Sequence, residues 1–258
     1  MATEPPANLP LFYNNLVPLQ NGLHKNYHTR PSDKAPFFAK AHAVPLTAEE
    51  FLLAQRFYPI VFSVGDNPVP LGLFGLNEGV NVFVDEEGKL TSELYLPAYV
   101  RRYPWMLAKL SAEAQELSLC FDPDSGLVGE YDEGQALFDG DKPSDATTAI
   151  LKFCEDFEMA AQRTTGFVNE LKELDLLMEG EVAIQTGPDE QPYLYRGFQM
   201  VNEDKFRDLR GDALRKLNQN GILPLIVAHL LSLGLVQTVF ARQLQMGKVP
   251  GREAPAQS

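Results

Sequence analysis

Residues 222–241 contain no formally charged side chain. About 20 such residues are enough to cross a bilayer as a helix. This segment therefore restricts the chain to two kinds of fold, a membrane-attached protein or a soluble one built around an apolar helix. Pro224, His229, Ser232, Gly234 and Gln237 interrupt the segment. Polar groups in hydrocarbon need partners, and a single span supplies few. A helix buried on all sides in a soluble core has the same sequence signature, and that is the reading adopted. It predicts one helix over residues 222–245, enclosed by the protein's own interior.

The remaining sequence is that of a soluble globular protein, 45% hydrophobic and 22% charged. The net charge of −13 argues against non-specific nucleic-acid binding, which draws on Lys and Arg neutralising phosphates, and against anionic membrane surfaces. Cys120 and Cys154 are the only cysteines. They point to a reducing compartment, with free thiols packed as small hydrophobes. The start, MATEPPANLP, lacks the basic and apolar regions of a secretory signal, so a cytoplasmic location is expected. Tails are expected at 1–10 and 249–258, flanking one domain over 11–248.

The pattern along the chain predicts an α+β fold, an antiparallel sheet meander in the N-terminal half packed with long helices of the C-terminal half. Residues 37–45 read as a strand. Thr47 to Glu50 fit a capping box opening a short helix. Apolar runs at 60–64, 69–76 and 81–84, separated by turn residues, read as meander strands. Pro97 and Pro104 break 94–110 into a short helix and a bend, and 117–121 reads as a strand. The acidic, glycine-containing stretch 113–141 reads as loop. Apolar residues from Ile150 to Leu174 recur at three- and four-residue steps, predicting a long helix over 145–177. Strands at 181–185 and 193–201 follow, and Asn202 opens a further helix.

Dinucleotide, phosphate-loop, nucleophile-elbow and metal-ligand motifs are all missing, so no cofactor or metal is expected. His24 and His28 have the spacing of one helix face, but Gly22, Asn26 and Pro31 speak against a helix, leaving a surface pair. Asp122, Asp124 and Glu133 mimic calcium-loop positions, yet the required glycine is replaced by Leu127, which favours an acidic hairpin. The most suggestive cluster is Tyr99, Arg101, Arg102, Tyr103 and Trp105. Two guanidiniums beside aromatic rings could grip a carboxylate or stack on a ring. Alternatively, the arginines pair with the acidic loop while the rings fill core. His229, inside the apolar segment, is either a hydrogen-bonded buried imidazole or a general base.

Several stretches together resemble the SapC family of bacterial surface-layer-associated proteins. They are FYNNLVPL followed by His24, AHAVPLTAEEF, YPIVF, NVFVDEEGKL, LPAYVRRYPWML, ALFDGDKPS, YRGFQMVNEDKFRDL and GILPLIVAHLLSL. Val227 stands where that family often has an aromatic residue. The resemblance implies no established reaction. It implies a surface-layer connection and an association with gene clusters for TonB-dependent receptors, tryptophan-halogenase-like proteins and cupin-type hydroxylases. The expectation is a cytoplasmic, non-enzymatic accessory protein binding a protein, peptide or amino-acid-like ligand near His24, Tyr99, Arg101, Arg102 and Tyr103. The alternatives are an enzyme on a peptide or amino-acid-like substrate with His229 as base, and a membrane-attached surface-layer component.

Overall fold

The structure, a computed structural model, describes residues 9–111, 116–188 and 190–249. The expected tails at 1–10 and 249–258 lie outside the described residues except for 9, 10 and 249. In chain order come β1 (Val17–Pro18), the single turn α1 (Asn21–His24) and β2 (His28–Thr29). A 3-10 turn at Pro36–Phe38 takes the place of the first part of the strand expected over 37–45, and only β3 (Ala43–Pro45) is extended. Then follow α2 (Phe51–Ala54), β4 (Ile60–Phe62), β5 (Pro70–Leu73), α3 (Ala98–Arg102), β6 (Trp105–Ala108) and β7 (Ser118–Phe121). The acidic stretch 113–141, expected to be loop, contains three two-residue strands, β8 (Val128–Gly129), β9 (Gln135–Ala136) and β10 (Phe138–Asp139), and β11 (Lys142–Pro143) follows it. The long helix α4 (Asp145–Glu173), β12 (Leu177–Ile184) and β13 (Tyr193–Val201) come next. Last are α5 (Glu203–Arg207), α6 (Gly211–Gln219), α7 (Leu223–Ser232) and α8 (Val236–Gln245).

Backbone proximity divides the described residues into two compact units, those up to Ala35 with those between Tyr99 and Met159, and those between Pro36 and Ala98 with those from Ala160 onward. In the first, antiparallel strands run in the orders β1-β7-β6 and β8-β2-β9, with β10 paired to β11. Its core gathers Trp105, Leu107, Phe121, Val128, Leu137 and Cys154. In the second, a five-stranded antiparallel sheet has the order β12-β13-β4-β5-β3. The fold class is α+β, as the residue pattern predicts.

The third apolar run of the expected meander is not in the sheet. Val82, Phe83 and Val84 are buried core residues, and only Val84 forms a bridge, to Leu90. A short continuous apolar run marks burial, and periodicity cannot say whether the backbone also pairs.

The capping box forms as expected. Glu50, itself buried, accepts from the Thr47 N–H at 2.8 Å and hydroxyl at 3.0 Å. Its other oxygen accepts from the Ala98 N–H at 2.6 Å and the Tyr95 hydroxyl at 3.1 Å. An amide in its place keeps the shape but turns one acceptor into a donor facing donors. Glu50→Gln is therefore expected to lower the unfolding free energy by about 2 kcal/mol, read from the midpoint of urea unfolding. A change within about 0.5 kcal/mol contradicts this account.

The apolar C-terminal segment differs from the enclosed rod expected of it. A 3-10 turn at Leu233–Leu235 splits it into α7 and α8. Ile226, Ala228, His229, Ser232, Val236, Val239, Phe240 and Gln243 are buried, whereas Val227, Leu231 and Leu244 are exposed. By length and composition alone, Leu223–Gln245 could cross a membrane. Its buried face carries the polar contacts of a core helix. Ser232 accepts from the Ile60 N–H at 2.9 Å, and Gln243 accepts from the Leu76 N–H at 3.0 Å.

Candidate functional site

Three-residue spacing puts Tyr99 and Arg102 on the same side of the short helix α3, and Tyr103 follows directly in the turn. All three are buried, while Arg101 is exposed. Beside α3 the first unit has an open groove of about 530 Å³, with Arg101, Arg102 and Trp105 on its wall. The start of α4 supplies Asp145, Ile150, Phe153 and Cys154. The Arg101 guanidinium carbon lies 5.4 Å from the centre of the Phe153 ring.

Arg102 is turned inward, 4% exposed, with Nη1 3.2 Å from Glu158 Oε1. Its guanidinium carbon lies 4.2 Å from the centre of the Phe157 ring and 5.0 Å from that of Tyr99. Its ion-pair partner is on α4 rather than in the acidic loop. The Arg102 Nε is buried and makes no hydrogen bond. Burial pushes the Tyr13 and Tyr99 hydroxyls up, and the Arg102 charge draws both part of the way back. Burial also pushes the Cys154 thiol up to about 12, against the pull of the same charge. Both cysteines are buried and unpaired.

The other expected site residues are not in the groove lining. Tyr99 donates its hydroxyl to the Leu11 carbonyl at 3.1 Å. Tyr103 packs edge-on against Tyr13 at 5.3 Å. Burial and the neighbouring Asp122 carboxylate push its hydroxyl up to about 12. Asp122, wholly buried, accepts from the Asn14 N–H at 2.7 Å and the Asp124 N–H at 2.9 Å. That engagement makes it the cap of a 3-10 turn. No grouping suited to a metal ion occurs among the described residues.

His24 is buried against Tyr27 and Phe121, at ring separations of 4.8 and 5.3 Å. Its Nδ1 accepts from the Gln20 N–H at 3.0 Å, and burial lowers its pKa. His28 lies on β2, so the two histidines share no helix face, and the expected surface pair does not form, because His24 sits in the helical turn α1 with its ring buried. Asp145 and Phe153 were not legible as site residues. The only hint for Phe153 is its position, one step off the apolar stripe that carries Ile150 and Cys154.

In the second unit, His229 forms a wedge in the sheet. β13 pairs with β4 at Gln199 and Phe62, and antiparallel register would next bring Val201 opposite Ile60. The imidazole bridges these two residues. Nε2 accepts from the Val201 N–H at 3.0 Å and Nδ1 donates to the Ile60 carbonyl at 2.8 Å. The ring has no exposed surface, and burial lowers its pKa to about 4. In this arrangement it offers a substrate neither a free lone pair nor a surface.

The fold and the groove define an α+β protein whose first unit has a recess lined by Arg101, Arg102, Trp105 and Phe153. The family model described as SapC matches residues 19–239, and the chain belongs to the SapC family. No curated protein and no solved structure matches it.

Proposed function

We propose that this SapC-family chain is a cytoplasmic, non-enzymatic accessory protein that binds a peptide or amino-acid-like ligand in the groove beside α3. One observation carries the reading. Arg101, Trp105 and Phe153 line a groove of about 530 Å³ together with Arg102, whose buried Nε has no acceptor. The volume falls within the roughly 300–1,000 Å³ of small-molecule sites. A guanidinium matches a carboxylate in shape and charge. The aromatic wall suits an apolar side chain, and Asp145 suits an ammonium group. The raised pKa of Cys154 keeps its thiol protonated and a poor nucleophile, which supports binding over catalysis. The gene-cluster association implied by the family supports a place in TonB-dependent uptake or peptide modification. Halogenase-like or hydroxylase proteins would then be its partners.

Trp105 is the chain's only tryptophan and lines the groove, so its emission reports occupancy. Alanyl-phenylalanine with a free carboxylate is expected to shift that emission, and its C-terminal amide to bind at least tenfold more weakly. Arg101→Ala is expected to cost the free acid about tenfold in affinity while leaving the far-ultraviolet circular dichroism unchanged. Equal binding of acid and amide, or no response to either, overturns the reading.

A further inference from the structure

We infer that the second unit holds a separate binding site for an organic anion, a carboxylate or phosphate carried on an apolar body. A cavity of about 960 Å³ lies where the end of α8 meets the segment around Val82–Ser92. Three cations, Lys40, Arg242 and Lys248, line it. Among the described residues none of the three has an ion-pair partner, whereas Lys25, Arg30, Arg102, Lys152 and Arg163 all have one. In a chain of net charge −13, unpaired cations converging on one concavity make a local field of the opposite sign, focused by the cavity walls.

Arg242 is held in place before any ligand arrives. Its Nη1 donates to the Ser92 hydroxyl at 3.1 Å, and its guanidinium carbon lies 4.6 Å from the centre of the buried Phe83 ring. A stacked, hydrogen-bonded guanidinium has little freedom left to lose on meeting an anion. Two carboxylates also line the cavity, Asp85 and Glu86. Asp85 is engaged, accepting from the Glu87 N–H at 3.0 Å and the Lys89 N–H at 2.9 Å. Those bonds orient Asp85 without removing its charge, so three cations stand against two carboxylates and the lining keeps an excess of one positive charge. Val82, Val84 and Met246 are among the residues that add apolar surface to the lining, which suits an alkyl or aryl body and not a bare inorganic ion.

Titration calorimetry of the full chain at low salt, with octanoate, octyl phosphate and octanol as probes, tests this. One-site binding is expected for both anions and none for octanol. The tighter anion identifies the headgroup, carboxylate or phosphate. Arg242→Gln is expected to weaken anion binding about tenfold or more. Arg242 stacks on a core ring, so the double variant Lys40→Ser, Lys248→Ser, at two exposed positions, serves as a second test with an expected loss of several-fold. Octanol binding as tightly as the anions, anion affinity unchanged in both variants, or no binding of either anion overturns the inference.

Discussion

Replacing His229 by leucine is expected to lower the unfolding free energy by about 4 kcal/mol. Leucine fills much of the imidazole's volume but has no polar atom. The Ile60 carbonyl and the Val201 N–H, each now bonded to the ring, would be left without a partner in a site with no exposed surface. Each buried orphan costs about 1–3 kcal/mol. The same ring sets a pH dependence. The unfolded chain binds a proton on this imidazole below its ordinary value of 6.5, and the folded chain does so only at about 4. Unfolding therefore takes up a proton between those values. The stability is complete above pH 6.5, falls as pH drops through the window, and on this account levels off below about 4. The fall amounts to roughly 3 kcal/mol for this one group. His24, also lowered by burial, acts in the same direction. Urea unfolding of the natural chain and of His229→Leu at steps from pH 7 to 4 separates this effect from the carboxylates. The difference in stability between the two proteins should shrink as the pH falls. A constant difference would mean that the ring does not titrate as described.

Arg102→Ala is expected to destabilise the first unit by about 3 kcal/mol. The guanidinium is 4% exposed and packs on Phe157 and Tyr99 while pairing with Glu158. Truncation removes that packing and leaves a void. Glu158 has 36% of its side chain exposed, so water can solvate it. The loss is thus at the low end of that for a broken buried pair, about 3–5 kcal/mol. Arg102→Lys is expected to recover only part, since an ammonium is neither planar nor forked. Arg101→Ala, at an exposed position, should stay within about 0.5 kcal/mol of the natural chain. Trp105 fluorescence during urea unfolding reads all three, because Trp105 lies in the same unit. If Arg102→Ala unfolds at the natural midpoint, Arg102 is not a strut. The two adjacent arginines thus separate into one whose removal tests binding and one whose removal tests folding.

Much of the architecture was legible because it rests on local rules. The step pattern from Ile150 to Leu174 corresponds to α4, the Thr47–Glu50 spacing to the capping box, and Asn202 to the cap whose side chain accepts from the Lys205 N–H. The cluster around Arg101 was legible as a chemical oddity. Which way each of its side chains turns was not, because that depends on Phe153, Phe157 and Glu158, some fifty residues further along the chain.

Residue order alone determined the α+β class, the helix periods, the turns and the family, all of which depend on neighbours a few positions apart. Only tertiary structure decided what the uncharged segment does. Its hydropathy fits a rod buried all round or a membrane span. In the structure a 3-10 turn at Leu233–Leu235 interrupts it, one face stays exposed, and His229 and Ser232 supply the backbone of Ile60 with the hydrogen bonds that the neighbouring strand does not. A side chain can fill a missing rung of a ladder only once two strands distant in sequence have come together around it, and nothing local in the chain encodes that meeting.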